Sequence, residues 1–328
     1  MRHCSPVIPW IFILCFSGVS CSVQDMPVED RVCVSFEACA PPPFTKSRLS
    51  DREYVVETLD LFVFDARSGE RVALAHGTSP RVSVLVPVRT SLKYAAIVNG
   101  CPGVNFDNRE QFLSTRAEFS SFGTSSFMMI SEGEASFEDS ASVPLHARRM
   151  LCKVMVDSVS LKIATPVQAV LSKAYLINVC GSEPYSMAAS DVGPWFNRMA
   201  LDTSLPSALK EHLTSGDLSL SLSEAPARCG VALYCLPNPL DNNLTSRELP
   251  IWSPRPTRLV LEVLMDGAPH YYPITFVNMK SNACYRIRHL VLTGSGSSDP
   301  DDPEGGRSAE YEVSVTEWGE RAAEVIGL

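Results

Sequence analysis

No apolar run in this 328-residue sequence reaches the roughly 20 residues that a helix needs to cross a bilayer. No CxxC pair occurs among its 11 cysteines, which removes the zinc-ribbon and thioredoxin-like readings. Positive charge is scarce: 28 Lys and Arg stand against 37 Asp and Glu, for a net charge of −9, and no basic stripe is present. Nothing in the chain would neutralise a row of phosphates, so nucleic acid is excluded as a partner. Catalytic signatures are missing as well: there is no GxSxG, HExxH, P-loop or GxGxxG. His76, His146, His212, His270 and His289 are scattered singly, which is the pattern of structural or exposed histidines. The acidic stretch Asp299, Asp301, Asp302 and Glu304 is interrupted by Pro300 and Pro303 and does not match a calcium loop, so it reads as a solvated loop. These absences point away from an enzyme, a metalloprotein or a binder of small-molecule substrates, and call for no cofactor.

What is present begins at the N-terminus. Arg2 and His3 give a basic start, Val7 to Phe16 is an apolar run of about ten residues, and Gly18-Val19-Ser20 precedes Cys21. This is the layout of an export signal over residues 1–20 in which cleavage between Ser20 and Cys21 leaves an acylated cysteine as the first mature residue. Gly18 departs from the Leu, Val or Ile usual at its position. The lipid on Cys21 is then the sole membrane attachment, and more than one acyl chain is needed for lasting anchorage. With Cys4 and Cys15 in the signal and Cys21 lipidated, Cys33, Cys39, Cys101, Cys152, Cys180, Cys229, Cys235 and Cys284 remain. An even number in an exported chain permits disulfides, and the sequence leaves their pairing open. Cys152 and Cys180 lie in apolar runs, where a cysteine also serves as a small buried hydrophobe.

The remaining chain, about 300 residues, exceeds what one core usually serves. Residues 21–52 read as the acylated start, a first strand over 31–37 and a spacer broken by Pro41, Pro42 and Pro43. Thereafter the apolar period is two. Leu59, Leu61 and Val63 lead into a turn at Asp65–Glu70 and resume at Val72 and Leu74. Val82, Val84, Val86 and Val88 alternate, as do Tyr94, Ala96 and Val98 before Asn99-Gly100. Only Arg109 to Phe119 looks helical, with Asn108 as its cap; Phe127–Ile130 and Ala135–Phe137 read as short strands. Arg148 to Val156 opens a second unit. There Cys152, Val154 and Val156 and then Val159, Leu161 and Ile163 fall on opposite parities, so Asp157-Ser158 is expected to be a bulge. Residues 181–218 lose period two and read as an insertion or surface crossing with a short helix at Leu205–Leu213. Leu259 to Met265 and Tyr272 to Phe276 make a hairpin around Asp266-Gly267, and Ala309 to Thr316 forms the last strand. Many short strands and few short helices mean an all-β chain of two tandem β-sandwiches, over residues 53–147 (with the strand from 31–37) and 148–328. Asn243-Leu-Thr245 matches a glycosylation sequon without other support.

Several segments taken in order resemble one family. Leu59-Asp-Leu-Phe-Val-Phe-Asp65, Ala95-Ala-Ile-Val-Asn99, Arg149-Met-Leu-Cys-Lys-Val154, Asn282-Ala-Cys-Tyr285, Leu292-Thr-Gly294 and Val313-Ser-Val-Thr-Glu-Trp318 look like the Bacteroidales fimbrillins, and more closely the lipid-anchored FimB-type subunits at the base of type V pili. The chain departs from the pattern at Cys152 and Cys284 and in residues 181–218. The resemblance implies transthyretin-like sandwiches, assembly by strand exchange with a fimbrillin stem subunit, and a place at the outer membrane, surface-facing, where the chain anchors a fimbrium and limits its length. Stem subunits of that family lose their first strand to an arginine-specific protease. Cutting after Arg48 or Arg52 here would release the body from Cys21, so the N-terminal strand must stay. The chain end, with Ala309, Tyr311, Val313, Val315 and Trp318, becomes the candidate donor strand. The competing reading is a surface lipoprotein that binds host protein or glycan as an adhesin.

Overall fold

The computed structural model describes residues 30–39, 51–165, 167–188, 193–241 and 252–318. The signal, Ser20, Cys21, Arg48 and the Asn243 sequon lie outside them.

The first half carries β1 (Arg31–Cys39), β2 (Leu59–Asp65), β3 (Arg71–Gly77), β4 (Arg81–Pro87), β5 (Leu92–Val98), helix α1 (Arg109–Ser114), β6 (Arg116–Glu118), β7 (Met129–Ala135), β8 (Ala141–His146) and β9 (Arg148–Arg149). A three-stranded sheet, β4-β1-β8, faces a five-stranded one, β3-β2-β5-β7-β9. Their shared core includes Val34, Phe36, Leu59, Leu61, Val63, Val84 and Val86. β1 is the central strand of its sheet, antiparallel to β4 and parallel to β8, and it buries Val32, Val34, Phe36 and Ala38 on alternate positions. Residues 31–39 are therefore part of the first core.

The second half carries β10 (Cys152–Leu161), β11 (Ala169–Ile177), β12 (Val179–Cys180), β13 (Ser182–Pro184), β14 (Trp195–Phe196), helix α2 (Ser207–Leu213), β15 (Leu220–Ser221), β16 (Ala227–Cys235), β17 (Thr257–Met265), β18 (Ala268–Phe276), β19 (Ala283–Leu292) and β20 (Ala309–Glu317). Two four-stranded sheets, β16-β10-β19-β20 and β15-β11-β17-β18, enclose its core. Asp266 and Gly267 turn the β17–β18 hairpin at φ 49° and 86°, the two positive values that a type I′ turn requires and that Asp and Gly tolerate. The expected bulge is present: the β10–β16 register shifts between Val156 and Ser158.

The two cores are not independent. Phe62, Phe64 and Ile97, on the faces of β2 and β5 opposite Leu61 and Ala96, belong to the second half's cluster. The five-stranded sheet is thus apolar on both faces, which is why Leu59–Phe64 reads as a nearly continuous apolar run.

Four expectations need correction. The helix predicted over Arg109–Phe119 stops at Ser114, although Asn108 does cap it by accepting from the Gln111 N–H at 2.9 Å. Residues 116–118 become β6 because β13 pairs with them. The predicted strands at Phe127–Ile130 and Ala135–Phe137 are one strand, β7, set by its register on β5. Residues 181–218 are no surface crossing: β13 pairs with β6, and α2 buries Leu209, His212 and Leu213, so this segment clamps the halves together. Arg148 and Arg149 pair with β7, so the second pair of sheets begins at Cys152.

Candidate functional site

Three features stand out once the fold is laid down: a polar knot that joins Glu53 to Trp318, the outer edge of β20, and a cleft between the halves.

The knot centres on Glu53, which is 2% exposed. Its Oε2 accepts the Trp318 indole N–H at 2.8 Å, and its Oε1 accepts from Lys153 Nζ at 2.5 Å and Tyr234 Oη at 2.8 Å. Its carbonyl accepts from Arg149 Nε and Nη2 at 3.1 and 2.8 Å, while Arg149 Nη1 donates to the Trp318 carbonyl at 3.2 Å. Trp318 stacks on Tyr234 with ring centroids 5.6 Å apart, meets Phe127 edge-on, and lies under the Arg149 guanidinium at 4.9 Å. Burial pulls the Arg149 guanidinium below its ordinary pKa, and the nearby Tyr54 and Glu53 oppose that shift. A buried charge is costly unless it is paired or hydrogen-bonded; Glu53 and Lys153 pair, and Arg149 is held by two carbonyls and the Trp318 ring. Arg52, next in the chain, donates to the Thr124 carbonyl at 3.2 Å, pairs with Glu211 at 2.6 Å and covers the Tyr234 ring.

β20 completes the sheet on β19 and has no strand on its other side among the described residues. Of the residues singled out in the sequence, Ala309 and Val313 pack against the core, Tyr311 is 39% and Val315 57% exposed, and Trp318 sits in the knot. They therefore do not form one uniform apolar face. Tyr311 opposes the fully buried Leu290, so it points inward, yet beyond the edge strand β18 nothing covers it. An open groove of about 750 Å³ runs there between β18 and β20, lined by Thr275, Val277, Arg307, Ala309 and Tyr311.

The cleft between the halves, about 450 Å³, is lined by Glu132, His146 and Arg148 from the first half and Glu183, Ser186 and Lys280 from the second, among others. Glu183 is 1% exposed, its Oε1 has no partner, and burial raises its pKa to about 7 against the lowering effect of Arg116.

The acidic loop also differs from its sequence reading. Asp301 is fully buried: its Oδ2 accepts from Arg255 Nη1 at 2.6 Å, and its Oδ1 bonds Arg258 and, at 2.8 Å, Asn178 Nδ2. It is the counter-ion of two buried arginines, not a solvated carboxylate. Sequence reasoning missed the roles of Glu53, Arg149, Glu183 and this triad, because a single Glu, Asp or Arg carries no local signal of a partner far along the chain.

No group of three or more His, Cys, Asp or Glu among the described residues is placed to hold a metal ion, and no described helix is long and apolar enough to cross a membrane. Paired β-sheets fused through a two-faced central sheet, with an open edge strand at the chain end, define an all-β tandem-sandwich protein. Its structural neighbours are fimbrial and cell-adhesion proteins of the Bacteroidales. Fimbrilin of Porphyromonas gingivalis matches with a TM-score of 0.60 at 14% identity, over 88% of this chain and 97% of that one. A candidate cell adhesion protein of Bacteroides eggerthii matches at 0.61 and 15%, over 88% and 96%. The tip fimbrial protein Mfa3 of P. gingivalis, with a C-terminal truncation, matches at 0.52 and 14%, over 88% and 100%. At these identities the likeness is one of fold. No protein-family model and no curated protein matches the sequence.

Proposed function

We infer that the chain is a structural subunit of a cell-surface fimbrium, fixed to the outer membrane by acyl chains on Cys21 and joined to the next subunit at its β20 side. The observation that carries this reading is the open edge of β20, with Tyr311 and Val315 exposed, in a fold shared with fimbrial proteins. An edge strand's unpaired main-chain groups are a standing template for pairing with another chain. Whether the neighbour adds a strand at this edge or exchanges with β20, the contact is made by main-chain hydrogen bonds along Ala309–Glu317, with Trp318 holding the strand's end in place.

The N-terminal strand supports the anchoring role. β1 is central in its sheet and Arg52 is engaged on three sides, so a cut after Arg52 is opposed by the folded structure; Arg48 lies outside the described residues. The reach from Cys21 to Arg31 is at most roughly 35 Å of extended chain, which keeps the body close to the bilayer.

The test is purification from detergent-solubilised outer membranes. Polymerised fimbrillin should copurify with the wild-type protein and be lost from the Tyr311→Lys/Val315→Lys variant, while metabolic labelling with a fatty acid should mark wild type and not Cys21→Ser. Copurification unchanged by the edge substitutions, or absence of label, overturns the reading. The cleft around Glu183 favours a second reading, a surface lipoprotein that binds a ligand; glycan or host-protein binding by the isolated chain, abolished by Glu183→Gln, would select it.

A further inference from the structure

Eight described cysteines stand as free thiols, and one pair of them faces across two strands. Cys152 opens β10 and Cys235 closes β16, and the antiparallel register sets them directly opposite one another. Their Sγ atoms lie 3.4 Å apart. Directly opposed residues of antiparallel strands have Cα atoms about 4.5–5.5 Å apart, inside the roughly 4.4–6.8 Å window that a disulfide spans. Rotation about the two Cα–Cβ bonds is then enough to close the gap. The other thiols have different neighbours. Cys33 opposes Leu85, Cys229 donates to the Val156 carbonyl, Cys284 faces the Met155 sulfur and Cys101 contacts Ser121. Cys180 is close enough to Cys152 to be influenced by it electrostatically, but it lies on β12, in a different sheet, paired with Trp195.

We propose that Cys152 and Cys235 are joined by a disulfide in the mature exported protein, formed by exchange with a disulfide-bearing oxidant of the compartment it folds in. In the first step the thiolate of one cysteine attacks a sulfur of the oxidant's disulfide and expels a thiolate. In the second, the other cysteine's thiolate attacks the protein sulfur of that mixed disulfide and expels the second thiolate. Two protein thiols thereby lose two protons and two electrons, and the oxidant's disulfide is reduced to two thiols.

Burial decides when this happens. Both cysteines are at 0% exposure and so out of an oxidant's reach in the folded protein, and burial holds the Cys152 thiol well above its ordinary pKa. Exchange takes place while β16 is closing on β10, and once the sandwich is complete the same burial shields the bond from reductants. The bond would staple the edge strand β16 to the sheet whose other edge is β20. The inference rests on the export proposed above, because such bonds persist in oxidising compartments.

The experiment has two arms. Full-length protein from the envelope of its own cell is denatured with iodoacetamide and no reductant, and its peptides are mapped by mass. The expected result is one cross-linked peptide pair containing Cys152 and Cys235, with Cys33, Cys39, Cys101, Cys180, Cys229 and Cys284 alkylated. In the second arm, reduced and unfolded protein is refolded in a glutathione redox buffer and mapped in the same way, and the same pair is expected; Cys235→Ala should leave Cys152 alkylated. Alkylation of both cysteines in the envelope protein, or a bond to Cys180 instead, overturns the proposal. If the pair forms on refolding but not in the envelope, the compartment is at fault; if it forms in neither, the geometry is.

Discussion

The indole N–H of Trp318 donates to Glu53 Oε2 at 2.8 Å, joining residues 265 positions apart in the chain. The last described residue is thereby bolted to the turn that opens the first sandwich's second sheet, and Arg149, Lys153 and Tyr234 close around the bolt. Trp318→Ala removes a buried aromatic and leaves Glu53 and Arg149 short of partners. A loss of about 3–5 kcal/mol is expected, read as a lowered midpoint in urea. Trp318→Phe, which keeps ring area but not the N–H, should lose less. A Trp318→Phe variant as stable as wild type would show that the hydrogen bond to Glu53 contributes nothing.

Asp301 forms ion pairs with two buried guanidinium groups, those of Arg255 and Arg258. Burial draws Arg258 below its ordinary pKa, and Asp301 opposes that shift. Asp301→Asn keeps the size and removes the charge, so Arg255 and Arg258 both lose their ion pair with it. The expected loss is about 3–5 kcal/mol. A variant within the scatter of wild type in chemical denaturation would refute the pairing.

Two buried groups make stability depend on pH with opposite signs. Burial raises Glu183 from 4.5 to about 7, so its contribution is fully present below pH 4.5 and is lost as pH rises to about 7. Burial lowers His212 from 6.5 to about 4, so its contribution is present above pH 6.5 and is lost as pH falls to about 4. Each is worth up to about 3 kcal/mol, and between pH 4.5 and 6.5 they oppose one another. Glu183→Gln should therefore give a profile that rises with pH across that window, and His212→Phe one that falls. Urea midpoints taken at half-unit steps would show it; variants that merely shift the wild-type curve vertically would not fit.

Folded protein treated with an arginine-specific protease should yield no fragment beginning at Glu53. Arg52 is held by Thr124, Glu211 and the Tyr234 ring, and Glu53 is buried behind it. In denaturant the same bond should be cut. A Glu53 N-terminus from native protein, found by terminal sequencing, would contradict this.

Much of the architecture was legible because its signals are local. Asp266-Gly267 can adopt the two positive φ values of its turn, Val82, Val84 and Val86 declare one buried face, and Asn108 caps a helix from a fixed distance. The misreadings share one cause. β6 is a strand only because β13 lies beside it, and residues 181–218 lack periodicity because they are shaped to the first half instead of forming a face of their own. Asp301 looked solvated because its arginines come from β17 and the approach to it, more than 40 residues earlier. In the candidate site, Tyr311 and Val315 carried the right alternation for a strand, but parity could not tell that β18 leaves them uncovered, nor that Trp318 belongs to a polar knot.

β1 lies between β4 and β8, and a tether at Cys21 would enter the fold at its first residue, Arg31. A pull on the lipid would then run along β1 itself and load both flanking ladders in shear, since β1's hydrogen bonds lie across its axis. Bonds loaded that way share the tension and must fail together, unlike a hairpin peeled one rung at a time, and resistance to such a pull is governed by the unfolding rate. The strand that stem subunits of the resembled family discard would here act as a clamp, setting the load at which the first sandwich begins to unfold under that pull.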